Sequence, residues 1–265
     1  MKDIAGRTAI VTGGASGIGL GIARAFAGQG VRVVVADING EGAEEAAVGL
    51  GGDAVGFRLD VTDPTGWRDL VGRVNERFGG IDILCNNAGV VGAFKPLLDI
   101  DIDRIRRLYE VNVMGAILGI QAVAPQMKAR GYGHIVNTSS MSALDSVPTL
   151  SGYSSSKRAL LGISEALRDE LAPFGVGVTA LCPGMVATGL SRNTQRVLGE
   201  EGLDDAAKAL TAGAPAGLNP DDVGPMVVAA IQENRMFAFT EGRHRERVEG
   251  RLEPVWQGFD WFKGR

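Results

Sequence analysis

Cysteine is nearly absent. Two in 265 residues cannot build a disulfide framework, and neither Cys85 nor Cys182 belongs to a CxxC pair. Each closes an apolar run, as a small buried side chain does. Histidine is as scarce: His134 and His244 leave a His-rich metal site or a Ser-His-Asp triad little to draw on, so no metal is expected. A basic excess is missing too. Lys and Arg number 27 against 31 Asp and Glu, a net charge of −4, which argues against a nucleic-acid partner. No uninterrupted apolar run reaches the roughly 18 residues that span a bilayer, so no membrane is expected. The first residues, MKDIAGRTAIVTGG, show no signal-peptide h-region or cleavage site, and the expected location is cytoplasmic. With 45% hydrophobic and 22% charged residues, global disorder is excluded.

Glycine is plentiful: 39 of 265 residues, about 15% where ~7% is usual. Many glycines cluster, which suits backbone that something approaches closely. Short β-rich runs alternate with helical patterns. Strands are expected at 8–11, 31–36, 55–59, 81–85, 134–138, 176–181 and 236–239. Most are continuously apolar, as strands covered on both faces are. Between the first two, Ile18, Ile22 and Phe26 recur at i, i+4 and i+8, one stripe of a helix. The alternation predicts right-handed βαβ crossovers. The expected fold is α/β, a doubly wound Rossmann fold with a seven-stranded, mostly parallel sheet and helices on both faces. No linker divides residues 1–265, so one domain is expected. Residues 189–218 are polar, poor in strand signals and follow a strand end, where open α/β sheets bind ligands; they are expected to form a lid. The tail, 241–265, is densely charged and then carries Trp256, Phe259, Trp261 and Phe262.

The first strand leads into Thr12-Gly13-Gly14-Ala15-Ser16-Gly17-Ile18-Gly19, and a helix follows. Phosphates need backbone N–H groups at a helix N-terminus, beside residues without a Cβ. A glycine cluster alone is weak; the strand–turn–helix context strengthens it, although the spacing is not GxGxxG. Asp37, followed by Ile38, ends the second strand 18 residues after Gly19. A carboxylate there accepts hydrogen bonds from both hydroxyls of an adenosine ribose and repels a 2′-phosphate. Neither Ala15 nor Ile38 is a cation, and Arg32 sits at the far end of the strand. NAD is therefore expected rather than NADP.

On these residues the sequence resembles the short-chain dehydrogenase/reductase family in its single-domain form, from Gly6 to about Phe239. TGGASGIG matches its TGxxxGxG loop, and Asn86-Asn87-Ala88-Gly89 its NNAG motif. Tyr153-x3-Lys157 matches YxxxK, and Pro183-Gly184 with Val186 and Thr188 matches PG-x-V-x-T. The resemblance implies a cofactor site of Gly13, Ser16, Gly17, Ile18, Gly19, Asp37 and Ile38. It adds Asp60 and Val61 beside the adenine, and Asn87 with Ala88 and Gly89 on the adenine-side ribose. Pro183, Gly184, Val186 and Thr188 would lie toward the nicotinamide amide, with Tyr153 and Lys157.

Tyr153 and Lys157, at i and i+4, share a helix face. A tyrosine of pKa ~10 is a poor base at neutral pH, and a nearby ammonium together with the positive nicotinamide favours tyrosinate. The pair can then move the alcohol proton while hydride goes to the nicotinamide. The resemblance assigns the catalytic serine to Ser140, thirteen positions before Tyr153, ahead of Ser139. It assigns Asn112 to a water that links the lysine to solvent. Asn112, Ser140, Tyr153 and Lys157 thus complete the family tetrad. Gly115 and Gly119 follow Asn112 at helical spacing; they suit either the family's dimer interface or a contact within the chain.

These residues imply an NAD(H)-dependent oxidoreductase interconverting a secondary alcohol and a ketone. A non-catalytic NAD-binding sensor or scaffold, an epimerase or dehydratase, and a ketoacyl-type reductase are the rivals. Met141, Leu144, Val147, Met185 and Leu190 are expected to line the substrate pocket. Asp145 is the only acid at 141–150, so a bulky, uncharged alcohol is favoured. The tail aromatics must pack on their own domain or on another subunit. The family's habit favours the latter, in a homotetramer arranged as a dimer of dimers.

Overall fold

The structure is a computed structural model that describes residues 1–199, 202–210, 212 and 217–263. Its strands are β1 (Thr8–Thr12), β2 (Arg32–Asp37), β3 (Val55–Arg58), β4 (Ile83–Asn86), β5 (Gly133–Thr138), β6 (Val176–Cys182) and β7 (Phe237–Phe239). The described helices are α1 (Gly17–Gly28), α2 (Gly40–Leu50), α3 (Pro64–Phe78), α4 (Ile102–Tyr109), α5 (Gly115–Arg130), α6 (Ser151–Leu171), α7 (Leu190–Leu198), α8 (Leu203–Leu210), α9 (Pro220–Gln232) and α10 (Arg245–Lys263). The strands form one sheet in the order β3-β2-β1-β4-β5-β6-β7, and every pairing is parallel. This is the doubly wound α/β fold expected, without an antiparallel strand.

Helices cover both faces. Ala9 and Val11 pack with Phe26 of α1 and Ile231 of α9; Ile10, between them, packs with Trp67 of α3 and Val123 of α5. Successive strand residues point to opposite faces, so a strand covered twice must be apolar throughout. The start and stop of α3 are written in its sequence. Asp63 accepts the Thr65 N–H at 2.8 Å, Pro64 takes the first helical position, and Gly79 ends the helix at φ 81°.

A π-turn, Glu110–Met114, joins α4 to α5 without a break. Residues 102–130 are long and apolar enough, by length and composition, to cross a membrane, yet half of the apolar window is buried within the fold. Counting only uninterrupted apolar residues missed this run; its burial marks it as a core helix. Gly115 and Gly119 face inward. A Cβ at 115 would stand 2.7 Å from Val61 Cγ2, and one at 119 would stand 2.8 Å from the Trp67 ring. Both glycines serve contacts within the chain, the second of the two uses expected.

His134 is buried at the start of β5. Its Nε2 lies 2.8 Å from Thr179 Oγ1, which donates its own hydrogen to the Arg235 carbonyl at 2.6 Å. Nε2 must therefore carry the ring proton. Burial first, then the N-terminal ammonium and Arg168, pushes the imidazole down to about 3 from 6.5. The unfolded chain thus binds a proton that the folded chain refuses. Stability is full above about pH 6.5 and falls as pH drops toward 3, by about 1.4 kcal/mol per unit from this group. His134→Gln should flatten the slope of urea-unfolding free energy against pH in that window. An unchanged slope would assign the acid lability elsewhere.

α10 carries the tail. None of its residues is buried, and Trp256, Phe259 and Phe262 are 56%, 61% and 76% exposed.

Candidate active site

The carboxyl ends of the strands gather nearly every residue singled out from the sequence. The strand order reverses between β1 and β4, the topological switch point where open sheets leave a crevice. The glycine loop lies on one side of it. Gly13 and Gly17 have φ of 63° and 53°. A Cβ at Gly13 would stand 2.9 Å from Ala88 Cα, and one at Gly17 3.2 Å from Thr188 Cγ2. Ser16 makes no side-chain cap to α1, and the first turn has no acid. The N–H groups of that turn, with Ile18 and Gly19 on it, therefore offer positive potential to an anion. Asn193 Nδ2 of α7 donates to Ser16 Oγ at 3.1 Å, so the expected lid touches this loop.

Thr12 joins the loop to the NNAG segment. Its Oγ1 accepts the N–H groups of Asn87 and Ala88, at 2.9 and 3.0 Å, and it donates to the Cys85 carbonyl. At the end of a strand, a threonine carries no sequence signal of this role. Asn87 Nδ2 donates to the Thr12 carbonyl at 3.0 Å.

Asp37 ends β2 as expected, with Ile38 exposed beside it. Its carboxylate accepts the N–H of Ala15 at 3.1 Å and that of Asn39 at 3.0 Å. Its partner in the sheet register is Arg58, a cation that sequence distance concealed. Arg58 packs its stem against Gly40. Asp60 accepts both the N–H and the hydroxyl of Thr62, and Val61 is buried against Gly115.

Tyr153 and Lys157 lie in the first two turns of α6. Lys157 Nζ donates to the Thr138 carbonyl at 2.9 Å and stands 5.8 Å from the Tyr153 ring centroid. Burial lowers the lysine to about 8. Burial also raises the Tyr153 hydroxyl above its ordinary value, opposed by a hydrogen bond from Ser140. In the protein without the nicotinamide, burial therefore dominates the Tyr153 hydroxyl. Ser140 Oγ accepts the N–H and the hydroxyl of Ser142, at 3.1 and 3.0 Å, which leaves its own hydrogen to donate. Ser139 is occupied: its Oγ donates to the Lys157 carbonyl at 2.8 Å. Asn112 sits in the π-turn, a feature frequent at functional sites. Its amide bonds both backbone groups of Val90 and Ser156 Oγ. Gly89 lies between Asn112 and Lys157: a Cβ there would be 3.1 Å from both Oδ1 and Nζ.

Met141 and Leu144 pack in a small apolar cluster with Leu161, Cys182 and Val248 of α10. Val147 lines a groove of about 370 Å³ with Pro148, Arg158 and Arg251. The ends of the 189–218 excursion are tied by a bridge between Val186 and Leu218, and Leu190 begins α7. Thr194 of α7 is fully buried and accepts the Val91 N–H at 2.9 Å. Residues 200, 201, 211 and 213–216 of the expected lid lie outside the described residues. A cavity of about 400 Å³ opens at the opposite ends of the strands, at the start of β5 and β6, beside Met1, Arg7 and Arg168; it shares no residue with this site.

Comparison with known proteins agrees with the geometry. The family model for short chain dehydrogenase matches residues 7–198. The chain is 33% identical over 256 residues to 1-deoxy-11-beta-hydroxypentalenate dehydrogenase of Streptomyces exfoliatus, covering 95% of this chain and 89% of that one. It is 36% identical over 245 residues to L-2,3-butanediol dehydrogenase of Corynebacterium glutamicum, covering 87% and 93%. A short chain dehydrogenase/reductase from Burkholderia phymatum, solved in complex with NAD, is 30% identical and matches with a TM-score of 0.90 over 97% of each chain. The chain belongs to the short-chain dehydrogenase/reductase family. It is an oxidoreductase of that family.

Proposed function

We propose that this chain is an NAD(H)-dependent enzyme that interconverts a secondary alcohol and a ketone. The observation that carries the reading is Ser140 hydrogen-bonded to Tyr153, one helical turn from Lys157. NAD fits the residues present: the loop at 13–19 is a cradle that side chains would fill, at an uncapped helix N-terminus, with Asp37 at the neighbouring strand end. When bound it supplies the hydride acceptor for oxidation and, reduced, the hydride donor. Asp60 and Val61, Asn87 to Gly89, and Pro183 to Thr188 complete the proposed cofactor wall.

Tyr153 takes the alcohol proton at its hydroxyl oxygen, or returns it to the ketone oxygen. Ser140 donates to that same substrate oxygen. Lys157 holds positive charge near the tyrosine and passes protons toward Asn112, where the π-turn releases backbone from regular helical pairing. α7, at the start of the 189–218 segment, closes over the glycine loop as a lid. The acid at 145 is neutralised by arginines, which supports an uncharged substrate. The names of the pentalenate and butanediol relatives support a hydroxyl on a carbon skeleton, one bulky and one small. We propose a homotetramer, because the exposed ridge of Trp256, Phe259 and Phe262 exceeds what monomers usually leave in water. Light scattering of Phe259→Ser/Phe262→Ser tests this; an unchanged monomeric or tetrameric mass removes the ridge from assembly.

The test is turnover, followed by nicotinamide absorbance, on 2,3-butanediol, cyclohexanol and 1-phenylethanol with NAD and with NADP. NAD should give the higher kcat/KM, and Asp37→Ala should narrow the gap by about 1–3 kcal/mol. A wild-type preference for NADP would make Arg58, not Asp37, the group that reads the ribose. Cofactor binding without turnover of any alcohol or ketone would favour the sensor reading.

A further inference from the structure

Residues 240–251 fasten two segments that flank Tyr153. Thr240 Oγ1 accepts the Gly184 N–H at 3.0 Å, and Glu241 Oε1 accepts the Met185 N–H at 3.0 Å. One turn later the chain takes hold of the loop that follows Ser140. Asp145 in that loop is 5% exposed. Arg247 Nε lies 2.8 Å from its Oδ2, and Arg251 Nε lies 2.9 Å from its Oδ1. Arg251 also donates to the Ser146 carbonyl. His244 stands between the two anchors, Nε2 3.3 Å from Glu241 and Nδ1 4.0 Å from Asp145. Val248 packs beneath, against the cluster that contains Met141 and Leu144.

A buried carboxylate is costly unless paired, and here both partners come from α10, about a hundred residues further along the chain. The loop also holds a conformation that its own sequence disfavours. Thr149 is β-branched and sits at φ 70°. Such strain persists only where the surroundings over-determine it. The glycine loop and Asp37, by contrast, lie at the ends of β1 and β2 and share no hydrogen bond with Asp145, Arg247 or Arg251.

We infer that Asp145 is a positioning residue for substrate: through Arg247 and Arg251 it turns the start of α10 into a strap that holds the 141–150 loop. The same strap holds the 183–185 segment through Thr240 and Glu241. Both walls beside Tyr153 are then set by one short stretch of chain. This rests on reading Tyr153 as the proton carrier. The arm through Asp145 acts on substrate binding, while the arm through Thr240 and Glu241 reaches the proposed cofactor wall at Gly184 and Met185.

Asp145→Asn is the informative variant. It removes the buried charge, while Arg247 and Arg251, with side chains 63% and 48% exposed, remain solvated. In the full-length variant, hydrogen exchange of 141–150 should accelerate by about tenfold or more while β1, β4 and β5 keep their protection. The KM for whichever of the three alcohols turns over should rise by about tenfold, with kcat within about threefold and the NADH Kd unmoved. Arg251→Lys, which keeps the charge, should show a smaller rise. Unchanged exchange at 141–150 overturns the strap. So does the same KM rise in Phe259→Ser/Phe262→Ser, which would assign the effect to assembly. If the wild type turns over no alcohol, the Tyr153 reading fails, and the exchange result alone decides the strap.

Discussion

Tyr153→Phe should reduce turnover by about 10²-fold or more while NADH still binds. The substitution keeps the ring, which packs at the start of α6, and deletes only the oxygen that Ser140 contacts. Burial holds the phenol above its ordinary value, so in the free protein it stays protonated through neutral pH. Oxidation needs it ionised, and that requires positive charge close by. Lys157 provides some of it, but burial brings the ammonium to about 8, so its help fades as pH rises past that point. The pH profile of kcat/KM, which reports the free enzyme, should therefore bend near pH 8, and Lys157→Ala should remove the bend. Near-normal turnover in Tyr153→Phe would show that the hydroxyl carries no proton in the rate-limiting step. An unmoved profile in Lys157→Ala would separate the lysine from the tyrosine's ionisation.

The fold was legible because its signals are local. Each strand is an apolar run of a few residues, and Asp63-Pro64 with Gly79 shows how plainly a helix can be punctuated. The tetrad and the glycine loop were legible for a different reason: their chemistry tolerates few residue types, so they stand as motifs. What escaped notice depends on distance in the chain. Arg58 meets Asp37 only because β2 and β3 pair in one register. Asp145 meets Arg247 and Arg251 only because the end of the chain returns over the loop after Ser140. Gly115 and Gly119 show the converse. Their spacing suits two uses, and only the position of Val61 and Trp67 decides between them. The tail aromatics form a helix whose Trp256, Phe259 and Phe262 stay more than half exposed, which periodicity alone does not reveal.

Gly19→Ala should weaken NADH binding by about 10²-fold. A Cβ at this position would fall 2.2 Å from the Gly13 carbonyl oxygen and 2.6 Å from Asn87 Nδ2. The nearer neighbour is backbone, so the glycine loop itself must move. Gly13 has little room to give, since its own Cβ position already stands 2.9 Å from Ala88 Cα and its φ is 63°. The displacement would turn the first N–H groups of α1 away from the phosphates they are proposed to hold. Losing one or two charge-assisted hydrogen bonds, about 1.5–3 kcal/mol each, accounts for the expected size. Gly28→Ala is the control on the same helix. A Cβ there meets nothing within 4 Å, so NADH binding should hold and the melting temperature should stay level or rise. Isothermal titration with NADH reads both variants, and circular dichroism checks that Gly19→Ala remains folded. A folded Gly19→Ala protein that binds NADH within about threefold of wild type would mean that the phosphates lie elsewhere than on this loop.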